Sequence, residues 1–125
     1  MTSPCPFCDT HDSLLVNPLA YVRLDKYPVT RGHLLIIPLR HEKNFFAATP
    51  EELEAIWELV AQATELLDRQ YHPDGYNLGV NVGEAAGQTI AHAHLHLIPR
   101  YRGDVENPRG GVRGVIPGKQ QYEPE

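Results

Sequence analysis

The chain has 125 residues, 42% of them hydrophobic and 22% charged, which fits one domain able to bury a core without disulfides. No apolar run approaches a membrane span, and a formal charge of -5 argues against a broad nucleic-acid surface, since phosphate backbones are held by clustered Lys and Arg. Met1 to Thr10 carries no basic start, apolar stretch or small-residue cleavage site, so a soluble, cytoplasmic protein with no membrane and no nucleic-acid partner is expected.

Leu14 to Asn17 and Ala20 to Leu24, separated by Pro18, predict two short strands in a hairpin or bent pair. His33-Leu34-Leu35-Ile36-Ile37, bounded by Gly32 and Pro38, predicts a buried central strand. Thr49-Pro50-Glu51-Glu52 combines an N-cap hydroxyl, a proline at the first helical position and a capping-box glutamate, so a helix begins there. Leu53, Ile56, Trp57, Val60, Ala63 and Leu67 continue it as one apolar stripe to about Gln70. Tyr76 to Val82 and Ala93 to Pro99 predict two further strands, joined through the glycine-containing segment Gly83 to Thr89. Strands against one long helix make an α+β domain whose core ends near Arg100.

His92-Ala93-His94-Leu95-His96 puts three imidazoles at alternate positions of a strand, on one face, while Ala93, Leu95 and Leu97 face the core. Three explanations fit: a polar solvent face, a three-histidine metal site, or nucleophilic catalysis in which an imidazole attacks phosphorus and its neighbours orient it and protonate the leaving group. Catalysis needs anion donors nearby, and Gly83, Gly87, Gln88 and Thr89 supply candidate backbone and side-chain donors just upstream, with Asn81 close by.

His92-Ala93-His94-Leu95-His96-Leu97-Ile98 resembles the signature of the histidine-triad (HIT) superfamily, histidines alternating with apolar residues. The likeness extends through Asn81 to Thr89 and Gly32 to His41, with features of both the fragile-histidine-triad dinucleoside polyphosphate hydrolases and the Hint phosphoramidases. It implies a five-stranded antiparallel sheet with one long helix and a short helix, commonly paired as a two-fold homodimer. By the same resemblance, His94 is the nucleophile, His96 the phosphate contact and proton donor, and His33 a supporting imidazole. Asp25 matches the ribose contact, Asn81, Gly87, Gln88 and Thr89 the phosphate and leaving-group contacts, and Phe7 a wall of the base pocket.

Cys5-Pro6-Phe7-Cys8 invites a redox reading, but that motif normally follows a strand and none precedes it. A tetrahedral zinc site needs two more ligands, for which His41 and His92 are the candidates. Some bacterial HIT proteins resemble this pattern, which implies a structural zinc on Cys5, Cys8, His41 and His92 and no organic cofactor. Residues 1-102 then form the HIT domain with a knuckle-like start at 5-8. Residues 103-125 form a Gly/Pro/Arg-containing tail or a lid, from which Arg109 or Arg113 could meet distal phosphates. The expected activity is cleavage at the α-phosphate of adenosine dinucleoside polyphosphates or nucleoside phosphoramidates through a covalent nucleotidyl-His94 intermediate. The alternative is a nucleotide-binding regulator with residual hydrolase activity.

Overall fold

A computed structural model describes residues 4-123. Five strands, β1 (Leu15–Val16), β2 (Ala20–Leu24), β3 (Leu34–Pro38), β4 (Gly75–Gly79) and β5 (Leu95–Arg100), form one antiparallel sheet in the order β1-β2-β3-β5-β4. The expected α+β architecture is therefore present. One long helix, α1 (Pro50–Tyr71), crosses a face of the sheet, while the expected short helix appears only as 3-10 turns at Phe45–Ala47, Glu84–Ala86 and Gly111–Val115. Among the described residues, no helix is long and apolar enough to cross a membrane.

Helix α1 starts where its sequence dictates. The Thr49 hydroxyl accepts from the Glu52 N–H at 3.1 Å and the Glu52 carboxylate accepts from the Thr49 N–H at 2.9 Å, closing the capping box. Its buried stripe is Ala55, Ile56, Leu59, Val60, Ala63 and Leu67, packed on Ala20, Val22, Leu34, Ile36, Leu95 and Leu97. This corrects the expected stripe at Trp57, which is 59% exposed, while Leu59, which that stripe omitted, is fully buried. Ile56, Val60, Ala63 and Leu67 of the expected stripe are buried, and the arc extends toward Ala55 and Leu59 instead of toward Leu53 and Trp57. Each buried Ile or Leu of this interface contributes about 1.5–3 kcal/mol.

Every residue of β3 is buried because both faces are covered. Leu34 and Ile36 meet α1, whereas Leu35 and Ile37 join Phe7 and Tyr21 on the opposite side. Period-2 geometry thus commits Leu35, and its β5 partner His96, to the face away from the helix. Gly32 makes the tight entry into β3: its φ is +86°, and a Cβ there would lie 2.9 Å from a Leu67 methyl and 3.1 Å from the Tyr71 ring.

After β5 the chain folds back on the sheet. Arg100 holds Asp104 through two hydrogen bonds of 2.8 Å, and the Tyr101 hydroxyl donates to the Arg31 carbonyl at 2.7 Å. Residues 1-3 and 124-125, included in the expected domain and tail ranges, lie outside the described residues.

Candidate active site

The helix-free face of the sheet brings together residues far apart in sequence. Register places Arg23 of β2 beside Leu35 of β3, and Leu35 beside His96 of β5, with His94 just before that strand and His33 just before β3. A cavity of about 590 Å³ opens over this row. Of the expected site residues, His33, His94, His96, Asp25 and Phe7 line it, as do Asn81, Gly87 and Thr89.

The triad itself needs a correction. The strand begins at Leu95, so His92 and His94 lie on the extended approach to it, and the three rings do not form one row. His94 and His96 pack edge-on with centroids 5.1 Å apart, but His92 turns toward Cys5 and Cys8 and does not line the cavity. Among the described residues, the clusters with metal-ligating geometry separate His92 from His96 and omit His94, so the three triad imidazoles do not converge on one ion.

Hydrogen bonds set the tautomers. A carbonyl oxygen only accepts, so the His94 Nδ1–H donates to the His92 carbonyl at 2.8 Å and leaves Nε2 without a proton in the neutral ring. A backbone N–H only donates, so His33 Nδ1 accepts from Val29 at 3.1 Å and its proton sits on Nε2. That Nε2–H, 3.0 Å from His96 Nδ1, makes the latter an acceptor, and the His96 proton therefore sits on Nε2. Asp25 lies beside both rings, one carboxylate oxygen being 3.4 Å from His33 Nε2 and 3.8 Å from His96 Nδ1.

Burial favours the neutral form of His96 and His33. Desolvation, with lesser repulsion from His94 and His33, pushes His96 down to about 4 despite the nearby Asp25 carboxylate. His33 is likewise lowered by burial, which Asp25 partly offsets.

The glycine segment does something other than expected. The N–H groups of Ala86 and Gln88 donate to the Gly83 carbonyl and that of Gly87 to Glu84, so they are spent inside the loop. The Gln88 carboxamide accepts from the Gly83 N–H at 2.9 Å and donates to the Lys43 and Ile90 carbonyls at 2.8 and 3.0 Å. Gln88, expected at the phosphate, therefore braces the loop, and its side chain faces away from the cavity. Thr89 and Asn81 are the polar side chains this segment presents to the cavity.

Beside the cavity, Cys5, Cys8, His41 and His92 bring one donor atom each to within 4.8 Å of one another and could hold a metal ion. Cys5 Sγ lies 3.4 Å from His92 Nδ1, Cys8 Sγ 3.6 Å from the same nitrogen, and Cys8 Sγ 3.2 Å from His41 Nδ1. The opposite nitrogen of His92 donates to the Pro38 carbonyl at 2.7 Å, which directs the Nδ1 lone pair at the thiols. The peptide between the cysteines places Phe7 edge-on against His94 at 4.9 Å, and the Phe7 carbonyl accepts from the Tyr21 hydroxyl at 2.6 Å.

Sequence reasoning missed Arg23 and Tyr27, both on the cavity wall, with the Arg23 guanidinium 5.6 Å from the Phe7 ring centre. Arg23 stands two residues before Asp25, so strand periodicity carried on from Asp25 would have found it. Arg109 and Arg113, expected as distal-phosphate contacts, instead lie over the Tyr122 ring at 5.9 and 4.5 Å, off the cavity.

Comparison with known proteins converges on one family. A HIT-like protein of Mycoplasma genitalium is 38% identical over 106 residues, covering 80% of this chain and 75% of the relative. Two relatives have named activities. An AP-4-A phosphorylase of Mycobacterium tuberculosis is 33% identical over 69% of this chain. A bis(5'-adenosyl)-triphosphatase of Dictyostelium discoideum is 32% identical over 71% of it. The chain spans 45% of the former and 60% of the latter.

Among solved structures, a HIT family protein from Bacillus anthracis superposes with a TM-score of 0.75 at 37% identity, covering 83% of this chain and 78% of that one. A Zn-bound histidine triad family protein from Mycobacterium smegmatis superposes with a TM-score of 0.72 at 32% identity, covering 80% and 77%. With the HIT domain model matching residues 10–103, the chain belongs to the HIT family.

Proposed function

We propose that this protein is a nucleotidyl hydrolase or transferase that cleaves at the α-phosphate of adenosine dinucleoside polyphosphates or nucleoside phosphoramidates. The observation that carries the proposal is the 2.8 Å bond from His94 Nδ1–H to the His92 carbonyl, because it leaves a neutral imidazole with its other lone pair available for attack. The relatives named for AP-4-A phosphorolysis and adenosyl-triphosphate hydrolysis support the dinucleotide class.

In this mechanism His94 Nε2 forms a bond to the α-phosphorus as the bond to the leaving oxygen or nitrogen breaks. The His96 Nε2–H donates a hydrogen bond to the departing oxygen or nitrogen, which takes its proton from solvent, and water then displaces His94 from phosphorus and releases a proton in turn. Two in-line displacements give net retention. His33 holds His96 in the proton-donating tautomer, and Asp25 beside both rings accepts from ribose hydroxyls. Asn81, Gly87 and Thr89 border the phosphate, Phe7 walls the base pocket, and Gln88 acts through the loop it braces.

The Cys5, Cys8, His41 and His92 cluster suits a structural zinc. Donor separations of 3.2–3.6 Å match the edge of about 3.5 Å that Zn–S and Zn–N bonds near 2.3 and 2.0 Å impose on a tetrahedron. Bound there, zinc would cross-link the N-terminal loop to the approach to β5. Thiolate ligands require a reducing compartment, consistent with the cytoplasm, and both cysteines are free thiols. A two-fold dimer completes the proposal, with the β4 edge and exposed Trp57 as unpartnered surface.

The test is mass spectrometry of protein mixed with diadenosine tetraphosphate or adenosine 5'-phosphoramidate and quenched in denaturant at alkaline pH, where a phosphorus–nitrogen bond survives, alongside steady-state turnover. A nucleotidyl adduct on a peptide containing His94 is expected. Turnover that persists in His94→Asn would end the proposal.

A further inference from the structure

Arg23, Leu35 and His96 are direct partners across β2, β3 and β5, so their side chains stand in one row on the face that carries the cavity. Two strand steps separate Arg23 from His96 by about 10 Å at the backbone. Leu35, buried and apolar, is the floor between them. Phe7 spans the same stretch from above, its ring centre 4.9 Å from that of His94 and 5.6 Å from the Arg23 guanidinium carbon. A nucleotide with its α-phosphate against His94 and its base against Phe7 therefore ends at Arg23.

The Arg23 guanidinium is positioned but not spent. Among the described residues, no carboxylate lies within 4.0 Å of it. Its hydrogen bonds to the Leu24 and Pro6 carbonyls are both 3.4 Å long, beyond the usual N–H···O range, whereas Arg40 and Arg100 hold their carboxylates at 2.8 to 3.1 Å. Its charge also bears on the neighbouring Tyr21 hydroxyl, which gives its own proton to the Phe7 carbonyl. Contact with the Phe7 ring fixes the guanidinium without using its N–H groups. Five donors with so few and such long partners leave N–H groups for a ligand.

The rest of the wall decides which ligand fits. Asp9 and Asp12 line the same cavity, and Asp9 takes the His11 N–H at 2.9 Å on one carboxylate oxygen, leaving the other open. Two carboxylates repel a polyphosphate chain at this end. Guanine suits both kinds of group: O6 and N7 are adjacent acceptors that match a guanidinium fork, while N1–H and the 2-amino group are donors for a carboxylate. Adenine carries an amino donor where guanine has O6, so a guanidinium there meets one acceptor and one opposed N–H.

We infer that Arg23 is the base-selecting residue of this site and that it gives the enzyme a preference for guanosine over adenosine nucleotides. The inference rests on the proposed nucleotidyl transfer and narrows its phosphoramidate class. The adenosyl names of the two relatives describe those proteins.

The test compares kcat/KM for guanosine, inosine and adenosine 5'-phosphoramidates in the wild type, Arg23→Met and Arg23→Lys, with thermal melts and calorimetric titration by GMP and AMP. The wild type should favour guanosine over adenosine by about tenfold or more, the discrimination a bidentate guanidinium contact gives between bases. Inosine, which keeps O6 and N7 without the 2-amino group, should follow guanosine. Arg23→Met keeps the aliphatic stem against Phe7 and should bring the ratio within about twofold, and Arg23→Lys, a charge without the fork, within about threefold. If one variant does not fold, the other decides. Equal use of the two bases by the wild type, a guanine preference that survives in a folded variant, or inosine following adenosine would overturn the inference. Tighter binding of GMP than AMP with no turnover and no adduct would instead overturn the proposed chemistry and leave the base selection standing.

Discussion

His94 and His92 are joined by a hydrogen bond that links two sites: the His94 Nδ1–H donates to the His92 carbonyl, and the His92 ring sends its own Nδ1 toward Cys5 and Cys8. Orientation of the proposed nucleophile thus depends on the backbone of a residue whose side chain belongs to the proposed zinc cluster. Replacing His94 with Asn removes the attacking nitrogen and keeps a short polar side chain. Adduct formation should vanish and kcat should fall by about 10⁴-fold or more, read by intact-protein mass and single-turnover kinetics.

The same link makes metal removal a structural perturbation. Wild-type protein purified without chelator should carry close to one zinc per chain by elemental analysis, and Cys5→Ser Cys8→Ser should carry none. Losing the cross-link between the N-terminal loop and the β5 approach should lower Tm on the order of 10 °C, from roughly 2–3 kcal/mol of lost stability. An unchanged melt in the double variant would mean that the loop is held without a metal, by the packing of Phe7 and the Tyr21 hydroxyl bond to its carbonyl.

Much of this was legible in the sequence because it depends on local patterns. The capping box at Thr49 and Glu52 is local chemistry, and the buried run of β3 depends only on period and flanking residues. Features set by tertiary contact were not legible. Gln88 sits beside the phosphate-facing residues in sequence, yet its carboxamide is claimed by the Lys43 carbonyl, 45 positions away. Strand alternation put His92 with His94 and His96, but the strand starts only at Leu95, and the cysteine loop supplies a competing partner for the His92 ring. Trp57 was assigned to the core by counting, but the buried arc of α1 extends toward Ala55 and Leu59 and leaves Trp57 at its solvent margin.

Stability should fall in mild acid in a way traceable to His96. The folded ring stays neutral, without a second proton, down to about pH 4, whereas an unfolded histidine takes that proton near 6.5. Between these values the unfolded state binds more protons, so stability falls as pH drops from about 6.5 to about 4 and this contribution is exhausted below. His33 acts in the same direction, and Asp25 opposes both. Melting at pH 7 and pH 4.5 should show a larger drop for the wild type than for His96→Asn. Parallel drops would assign the acid sensitivity to other groups.

Gly32 is a purely structural test on the opposite side of the sheet from the cavity. Gly32→Ala forces an L-residue to φ +86° and brings its Cβ to 2.9 Å from Leu67, a fully packed side chain of α1. Left-handed strain of about 1–2 kcal/mol adds to overpacking of about 1–3 kcal/mol. Chemical denaturation should show a loss of roughly 2–5 kcal/mol. The nucleotidyl adduct should still form below the transition, since the added methyl points at Leu67 and Tyr71 on the helix side of the sheet, away from the cavity that His33 and Val29 line.

Glu52 couples the helix start to the segment that carries His41, a proposed zinc ligand. Its carboxylate closes the capping box and also accepts two hydrogen bonds from Arg40, at 3.1 and 2.9 Å, and Arg40 directly precedes His41. The Arg40 guanidinium beside it holds this carboxyl below the usual range. Its share of stability is therefore present above the ordinary carboxylate pKa and lost as pH falls through the lower folded value. Glu52→Ala gives up the cap and leaves Arg40 without its partner, for a cost of about 2 kcal/mol from the cap and the lost charged hydrogen bonds together. Because the segment from Arg40 to His41 loses an anchor, zinc should also leave this variant faster in a chelator-competition assay. Glu52→Gln keeps a side-chain acceptor for the cap and should recover part of the stability. If it also recovers the slow zinc release, the anchor requires only a hydrogen bond; if it does not, the carboxylate charge on Arg40 is what positions His41.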